Sequence, residues 1–430
     1  MARPFDSLRV ALVHDWLTGM RGGEKCLEVL CEMFPRADLF TLVHERGSVS
    51  AAIENRRVTE SWIARLPMGR RGYRWFVPLY PLAVESFDLS RYDLIVSTSH
   101  CAAKGVVTRA DALHVCYCFT PVRYFWDLYG EYFGPGRGGA LARAAAPLLA
   151  HRFRIWDRVS ADRVDLFVAD SDHVRDRIAK HYRRAAPVIY PPVDTSFFTP
   201  AEGTGPGSGS GIGAASAASA PRPYLVVSAL VPYKGVERTI GVANRLALPL
   251  RVVGTGPDRE RLSRIAGPTV RFDGWLSQDA LREAYRGCRA LIQAHEEDFG
   301  IAPLEAMACG RSVIAFGKGG AAEVVAPGTG VLYSDESEDG LAAAIGEWER
   351  RAFDGAALRR HALGFSRENY RARMGRVLRE AWSAFEGPDS GPWRVERAAA
   401  LSVPSEATAE FPSDRPRRSG AFSPDGASSG

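Results

Sequence analysis

The sequence predicts two doubly wound α/β domains in tandem. Three observations carry that prediction. Short apolar runs rich in β-branched and aromatic residues recur along the chain and alternate with longer helical patterns, as strands of a parallel sheet buried on both faces require. The rhythm is interrupted from Gly203 to Ala220, where every residue is Gly, Ala, Ser, Thr or Pro except Ile212. The length, 430 residues at 46% hydrophobic and 24% charged, is enough for two cores.

The elements follow in order. In the first half, Leu8–Val13, Tyr92–Ser97, Leu113–Cys118 and Leu166–Ala169 read as strands, each ending near Gly, Ser, Thr or Asp. In the second half the strands are Tyr224–Ser228, Leu250–Val253, Val270–Phe272, Ala290–Ala294, Ser312–Ala315 and Val331–Tyr333. Helical patterns at Val236–Leu246, Gln278–Arg286 and Leu341–Arg350 lie between them, and a last one runs from Ala357 to Phe385. The expected organisation is therefore an N-terminal domain over residues 1–202, a flexible linker over 203–221, a second domain over 222–386 and a disordered Pro-, Ser- and Gly-rich tail over 387–430. Open α/β sheets bind ligands beyond the carboxyl ends of their strands. Two such domains on a linker should enclose a cleft to which each contributes.

Composition narrows the function. The 55 basic and 50 acidic residues leave +5, too little for a nucleic-acid binder that works by bulk charge. Seven cysteines are scattered without a CxxC pair, which argues against a disulfide scaffold or a structural zinc site. The apolar run Val10–Val13 is broken by His14 and Asp15, too short for a signal peptide, and no 18-residue stretch is both apolar and uncharged. A reducing cytoplasm is the expected compartment.

The densest polar cluster is His295-Glu296-Glu297-Asp298-Phe299-Gly300-Ile301-Ala302-Pro303-Leu304-Glu305, after a strand end. Pro303 is expected to open a helix, with the N–H groups of Gly300 and Ile301 free for an anion and Glu305 in the first turn. Glu305 could there simply complement the helix dipole, and the loop could be an ordinary solvated acidic turn. Lys234 in Val231-Pro232-Tyr233-Lys234-Gly235, the turn Gly254-Thr255-Gly256-Pro257, and Gly317-Lys318-Gly319-Gly320-Ala321-Ala322-Glu323 each follow a strand. Gly254 and Gly256 do not complete a dinucleotide fingerprint, because Arg259 stands where the third glycine belongs. Together these loops suit a diphosphate with hydroxyl-rich appendages.

The order Lys234-Gly235, Gly254-x-Gly256-Pro257, Glu297-Asp298-Phe299-Gly300-Ile301 through Glu305, then Gly319-Gly320-x-x-Glu323, resembles the retaining GT-B glycosyltransferases of family 4. Arg21-Gly22-Gly23-Glu24, the run from Cys116 to Tyr124 and the run from Val188 to Asp194 resemble GDP-mannose-dependent mannosyltransferases of bacterial polysaccharide assembly. The resemblance implies a GT-B architecture, two Rossmann-like domains facing a central cleft, with the final helix returning to the first domain.

It further implies a hexosyltransferase. Glu305 would hold both ribose hydroxyls, as a carboxylate can. Glu297 would face the transferred sugar, Phe299, Gly300 and Ile301 would orient it, and Lys234 would balance the leaving diphosphate. Gly254, Gly256, Gly319 and Gly320 would approach the donor with their backbones, and Leu276 would lie by the base. Gly22, Gly23 and Arg123 would serve the acceptor or phosphate side.

No cofactor or metal is implied. Asp170-Ser171-Asp172 spells the D-x-D of metal-dependent transferases but reads better as a helix cap. The implied partners are a nucleotide sugar, with GDP-mannose favoured, and a glycan or polyprenyl-diphosphate-linked acceptor.

Two positions depart from the pattern: Ala229 where relatives carry arginine, and Phe119 where they commonly carry histidine. They support an alternative, a catalytically weak GT-B relative that binds or scaffolds within a polysaccharide complex. A nucleotide-sugar epimerase of the same architecture fits less well, because the glutamate pattern is that of a transferase.

The stretch from Arg56 to Phe76 adds Arg56, Arg57, Arg65, Arg70, Arg71 and Arg74 with Trp62, Tyr73, Trp75 and Phe76, against Glu60 alone. It suits contact with an anionic membrane, placing the protein peripherally on the inner face of the cell membrane. An ordinary basic surface with aromatics turned inward is the other reading.

Overall fold

The computed structural model describes residues 5–127, 129–130, 140–201 and 221–386. The expected tail, and all of the expected linker but residue 221, lie outside the described residues.

Each half of the chain builds one parallel six-stranded sheet. The first contains β1 (Val10–His14), β2 (Asp38–Thr41), β3 (Val58–Glu60), β4 (Leu94–Ser99), β5 (Leu113–Cys118) and β6 (Leu166–Ala169), in the order β3-β2-β1-β4-β5-β6. The second contains β7 (Tyr224–Val227), β8 (Leu250–Val253), β9 (Val270–Gly274), β10 (Leu291–Gln293), β11 (Val313–Phe316) and β12 (Gly330–Tyr333), in the order β12-β11-β10-β7-β8-β9. β1, β4, β5 and β6 are buried at every position, which explains their unbroken hydrophobicity. The order reverses between β1 and β4 and again between β7 and β10, so each domain opens a crevice beyond those strand ends. Buried Asp15 fastens the first crevice by accepting the N–H groups of His100, Cys101, Ala102 and Ala103 at 2.6–2.9 Å.

Most strand boundaries fall within two residues of expectation. β2 and β3 have no counterpart in the sequence reading. They are four and three residues long, β2 opens with Asp38, and β3 is a half-buried edge strand ending in Glu60, so neither shows a run long enough to register.

The last helical pattern is two helices, Gly355–Leu363 and Arg367–Phe385. Gly364 and Phe365 interrupt them, Ser366 caps the second by accepting Asn369 N–H, and Val193 N–H bonds Phe365 O at 2.8 Å. The break turns the chain back to the first domain. There Tyr370, Met374, Val377, Leu378, Ala381 and Trp382 share one buried cluster with Leu12, Leu27 and Leu30. All seven cysteines are buried and unpaired in disulfides, and no helix among the described residues is long and apolar enough to cross a membrane.

Candidate active site

The second domain's crevice is built where β7 and β10 end. Gly235, at φ +62, lies so close to β10 that a Cβ there would meet Ala294 O at 2.5 Å. That approach lays Lys234 onto Glu297, whose carboxylate its ammonium grips directly. His295 Nε2 is 3.0 Å from the same carboxylate and Arg123 Nη1 is 3.7 Å away. Burial works to raise the Glu297 carboxyl, but Lys234, His295 and Arg123 outweigh it and hold the group well below the usual carboxylate range. Burial, with Lys234 adding to it, lowers the His295 imidazole.

Asp298, one residue on, faces the first domain. Its carboxylate takes Arg177 Nη1 at 2.6 Å and lies 3.1 Å from Arg123 Nη1, while its carbonyl accepts Ser171 Oγ at 2.7 Å. Ser171 also caps the Asp172–Tyr182 helix by accepting Val174 N–H. The first two amides of that helix, Asp172 and His173, donate to the Glu323 carboxylate at 2.8 Å each. The acidic loop and the short Ala321–Val324 helix of the second domain thus dock on one helix end of the first, where a carboxylate is electrostatically favoured. The Asp170-Ser171-Asp172 run accordingly forms a cap and an interdomain joint.

The helix after the acidic loop starts at Ile301, two residues before Pro303, with Gly300 at φ +84 as its N-cap. This corrects two expectations. Pro303 sits inside the first turn rather than opening it, because the chain turns at Gly300. Glu305 is then the fifth residue, in the second turn and buried, so dipole complementation does not explain it. Its Oε2 accepts Tyr285 Oη at 2.7 Å, and its Oε1 is held by Lys25 of the first domain.

Two expected backbone donors are already engaged. Gly320 N–H bonds Glu297 O at 2.8 Å and Gly254 N–H bonds Gly274 O at 2.7 Å. These glycines are needed for close approach: a Cβ on Gly320 would meet Phe299 Cα at 2.3 Å, and one on Gly254 would meet Ser228 O at 1.9 Å. Gly319 and Gly256 press in the same way on Glu297 O and Leu230 O, each at 2.2 Å from the added Cβ. All four glycines therefore shape the loops that carry Lys234 and Glu297.

Phe299 is buried and stacks on Tyr190 at 5.5 Å, and Leu276 packs on the same cluster. Across the cleft Gly22 and Gly23 begin the Gly22–Met33 helix. A Cβ on Gly22 would come 3.1 Å from Ile301, and one on Gly23 would come 3.2 Å from the Phe119 ring. The structure thus brings Glu297, Lys234, Arg123, Gly22 and Ile301 to one interdomain surface, with Glu305 joined to it through Lys25. Lys25, Arg177 and Tyr285 escaped the sequence reading. Lys25 directly follows the Arg21–Glu24 run and could have been included with it, whereas Arg177 and Tyr285 carry no local signal.

Residues 216–362 match the family described as glycosyl transferases group 1. The fold is GT-B, and the matched residues cover most of its second domain. Among relatives of this GT-B chain, a GDP-mannose-dependent alpha-mannosyltransferase of Mycolicibacterium smegmatis is 41% identical over 142 residues, 32% of this chain and 37% of the relative. A D-inositol 3-phosphate glycosyltransferase of Geodermatophilus obscurus is 29% identical over 264 residues, 51% of this chain and 58% of the relative. The matches therefore span between 37% and 58% of those relatives' lengths.

Solved structures of the same fold include a sucrose-phosphate synthase from Thermosynechococcus elongatus, with TM-score 0.62 and 16% identity over 87% of this chain and 100% of that one. Anabaena HepE, solved with UDP and glucose, has TM-score 0.60 and 18% identity over 86% of this chain and 99% of that one.

Proposed function

We propose that this protein is a retaining hexosyltransferase that moves a hexose, mannose from GDP-mannose foremost, onto a glycan or polyprenyl-diphosphate-linked acceptor in polysaccharide synthesis. The observation that carries the reading is the Lys234–Glu297 pair at a strand end facing the other domain. Glu297, kept ionised, binds the hexose hydroxyls and stabilises positive charge as the bond from its anomeric carbon to the diphosphate breaks. Lys234 passes to the departing diphosphate, so no metal is called on for charge balance. The acceptor oxygen bonds the same face of that carbon, and its proton goes to a phosphate oxygen. Glu305 holds the ribose diol from the buried side.

GDP-mannose as donor is supported by the mannosyltransferase relatives. Ala229, solvent-exposed, and Phe119 favour the scaffolding alternative. A thermal-shift panel of GDP-, UDP- and ADP-sugars decides between the two. One donor should stabilise the protein, Glu305→Ala should abolish that shift, and Glu297→Ala should keep most of it while lowering transfer at least tenfold. No shift with any donor favours scaffolding, and an undiminished shift in Glu305→Ala removes the ribose assignment.

Peripheral membrane contact on the cytoplasmic side belongs to the same proposal. Trp75 is 86% and Met68 74% exposed beside exposed Arg65, Arg71 and Arg74. Arg56 instead bonds the carbonyls of Cys31 and Phe34, Arg70 pairs with Glu60, and Tyr73 is buried. Sedimentation with anionic vesicles at low salt should carry the protein down, and Trp75→Ala with Arg71→Ala should weaken that several-fold. A protein left in the supernatant would remove this part.

A further inference from the structure

Lys25 and Glu305 meet across the domain boundary. Lys25 is the fourth residue of the Gly22–Met33 helix, two positions after Gly23. Its ammonium contacts Glu305 Oε1 and stands 5.4 Å from the centroid of the Phe198 ring. The pair is shielded, with 15% of the Lys25 side chain and 5% of the Glu305 side chain exposed. Because Tyr285 Oη occupies Oε2, both oxygens of Glu305 are engaged. Tyr285 belongs to the same domain and is fully buried, so the side of Glu305 that a ligand can reach is the one Lys25 covers. Each carboxylate oxygen keeps a second lone pair beside its present partner, so Tyr285 can stay in place, but a ribose diol reaches Glu305 only where Lys25 now stands.

The displaced ammonium needs a counter-charge, because an unpaired cation in a shielded cleft is costly. The carboxylates on its own helix are committed. Glu24 accepts Arg21 N–H, while Glu28 and Glu32 pair with Arg367. The one group that arrives with the ribose and carries the required charge is the donor's diphosphate.

We propose that Lys25 is a donor-binding residue that exchanges partners: without donor it latches the two domains through Glu305, and with donor it yields Glu305 to the ribose and binds the diphosphate. Exchanging one ion pair for another costs little, whereas simply losing one would not. The inference rests on Glu305 being the ribose partner in the proposed transferase.

The test is calorimetric titration of the full chain and its Lys25→Met variant with GDP and with guanosine, repeated with UDP and uridine. Guanosine, which meets only the latch, should bind Lys25→Met several-fold more tightly than wild type. GDP, which also loses its phosphate partner, should see its advantage over guanosine fall roughly tenfold or more. Lys25→Arg should keep most of that advantage. Lys25→Gln provides a second neutral variant should the methionine one not fold.

An unchanged GDP-to-guanosine ratio, or guanosine binding that does not tighten, overturns the assignment while leaving the transferase reading intact. A wild-type protein that binds none of the four compounds overturns both.

Discussion

Glu297 shows how neighbours set a residue's chemistry. Three acids follow one another in this loop, yet Glu297 is the one that meets Lys234, His295 and Arg123 together. Asp298 shares Arg123 and takes Arg177 as well, but neither Lys234 nor His295 pairs with it. The sequence marked the loop as functional by its acid density, and local chain order could not divide the labour among its members.

A testable consequence concerns pH. The Glu297 carboxyl is held well below its ordinary value of 4.5, so the stability it contributes is complete above that value and is lost as the pH falls toward the depressed one. Urea unfolding should show Glu297→Gln destabilised by about 1–3 kcal/mol at pH 7. That deficit should shrink as both proteins are taken below pH 4.5. A deficit that stays constant down to acid denaturation would contradict an electrostatic origin.

At the scale of elements, glycines and caps decide where the loops go. Gly320 is legible in the sequence as a turn residue. Its purpose was not, because the atom it makes room for, Phe299 Cα, comes from a different loop. Ser171 is similar: its capping role follows from its place before a helix, whereas its bond to Asp298 O depends on the other domain. Replacing Ser171 by alanine removes the cap and the interdomain bond together and should cost about 1–2 kcal/mol in urea unfolding. A loss of under about 0.3 kcal/mol would mean that water replaces both contacts.

The break at Gly364 and Phe365 belongs to this scale too. A continuous 3.6-residue pattern concealed it, and the pairing of Val193 with Phe365 and Ser366 enforces it.

At the scale of the whole molecule, the C-terminal helix fastens the second half of the chain to the first. Trp382 is 4% exposed within the first domain's core. Trp382→Ala should therefore destabilise by about 3–5 kcal/mol, and the loss should appear in the unfolding transition of the first domain, residues 5–201. A loss confined to the second domain's transition would refute this placement of the helix.

Read alone, the amino-acid order settled the alternation of strands and helices, the two-part division, the glycine turns and the loop bearing Glu297 with the helix after it that bears Glu305. Each is written in residues close together in the chain, where periodicity, turn chemistry and hydrophobic runs act. Folding in three dimensions decided the rest. Lys25 meets Glu305 across 280 positions and Arg177 meets Asp298 across 121. Those partners are set by how two separately encoded sheets close on each other, and a closure angle leaves no periodic trace in a linear chain.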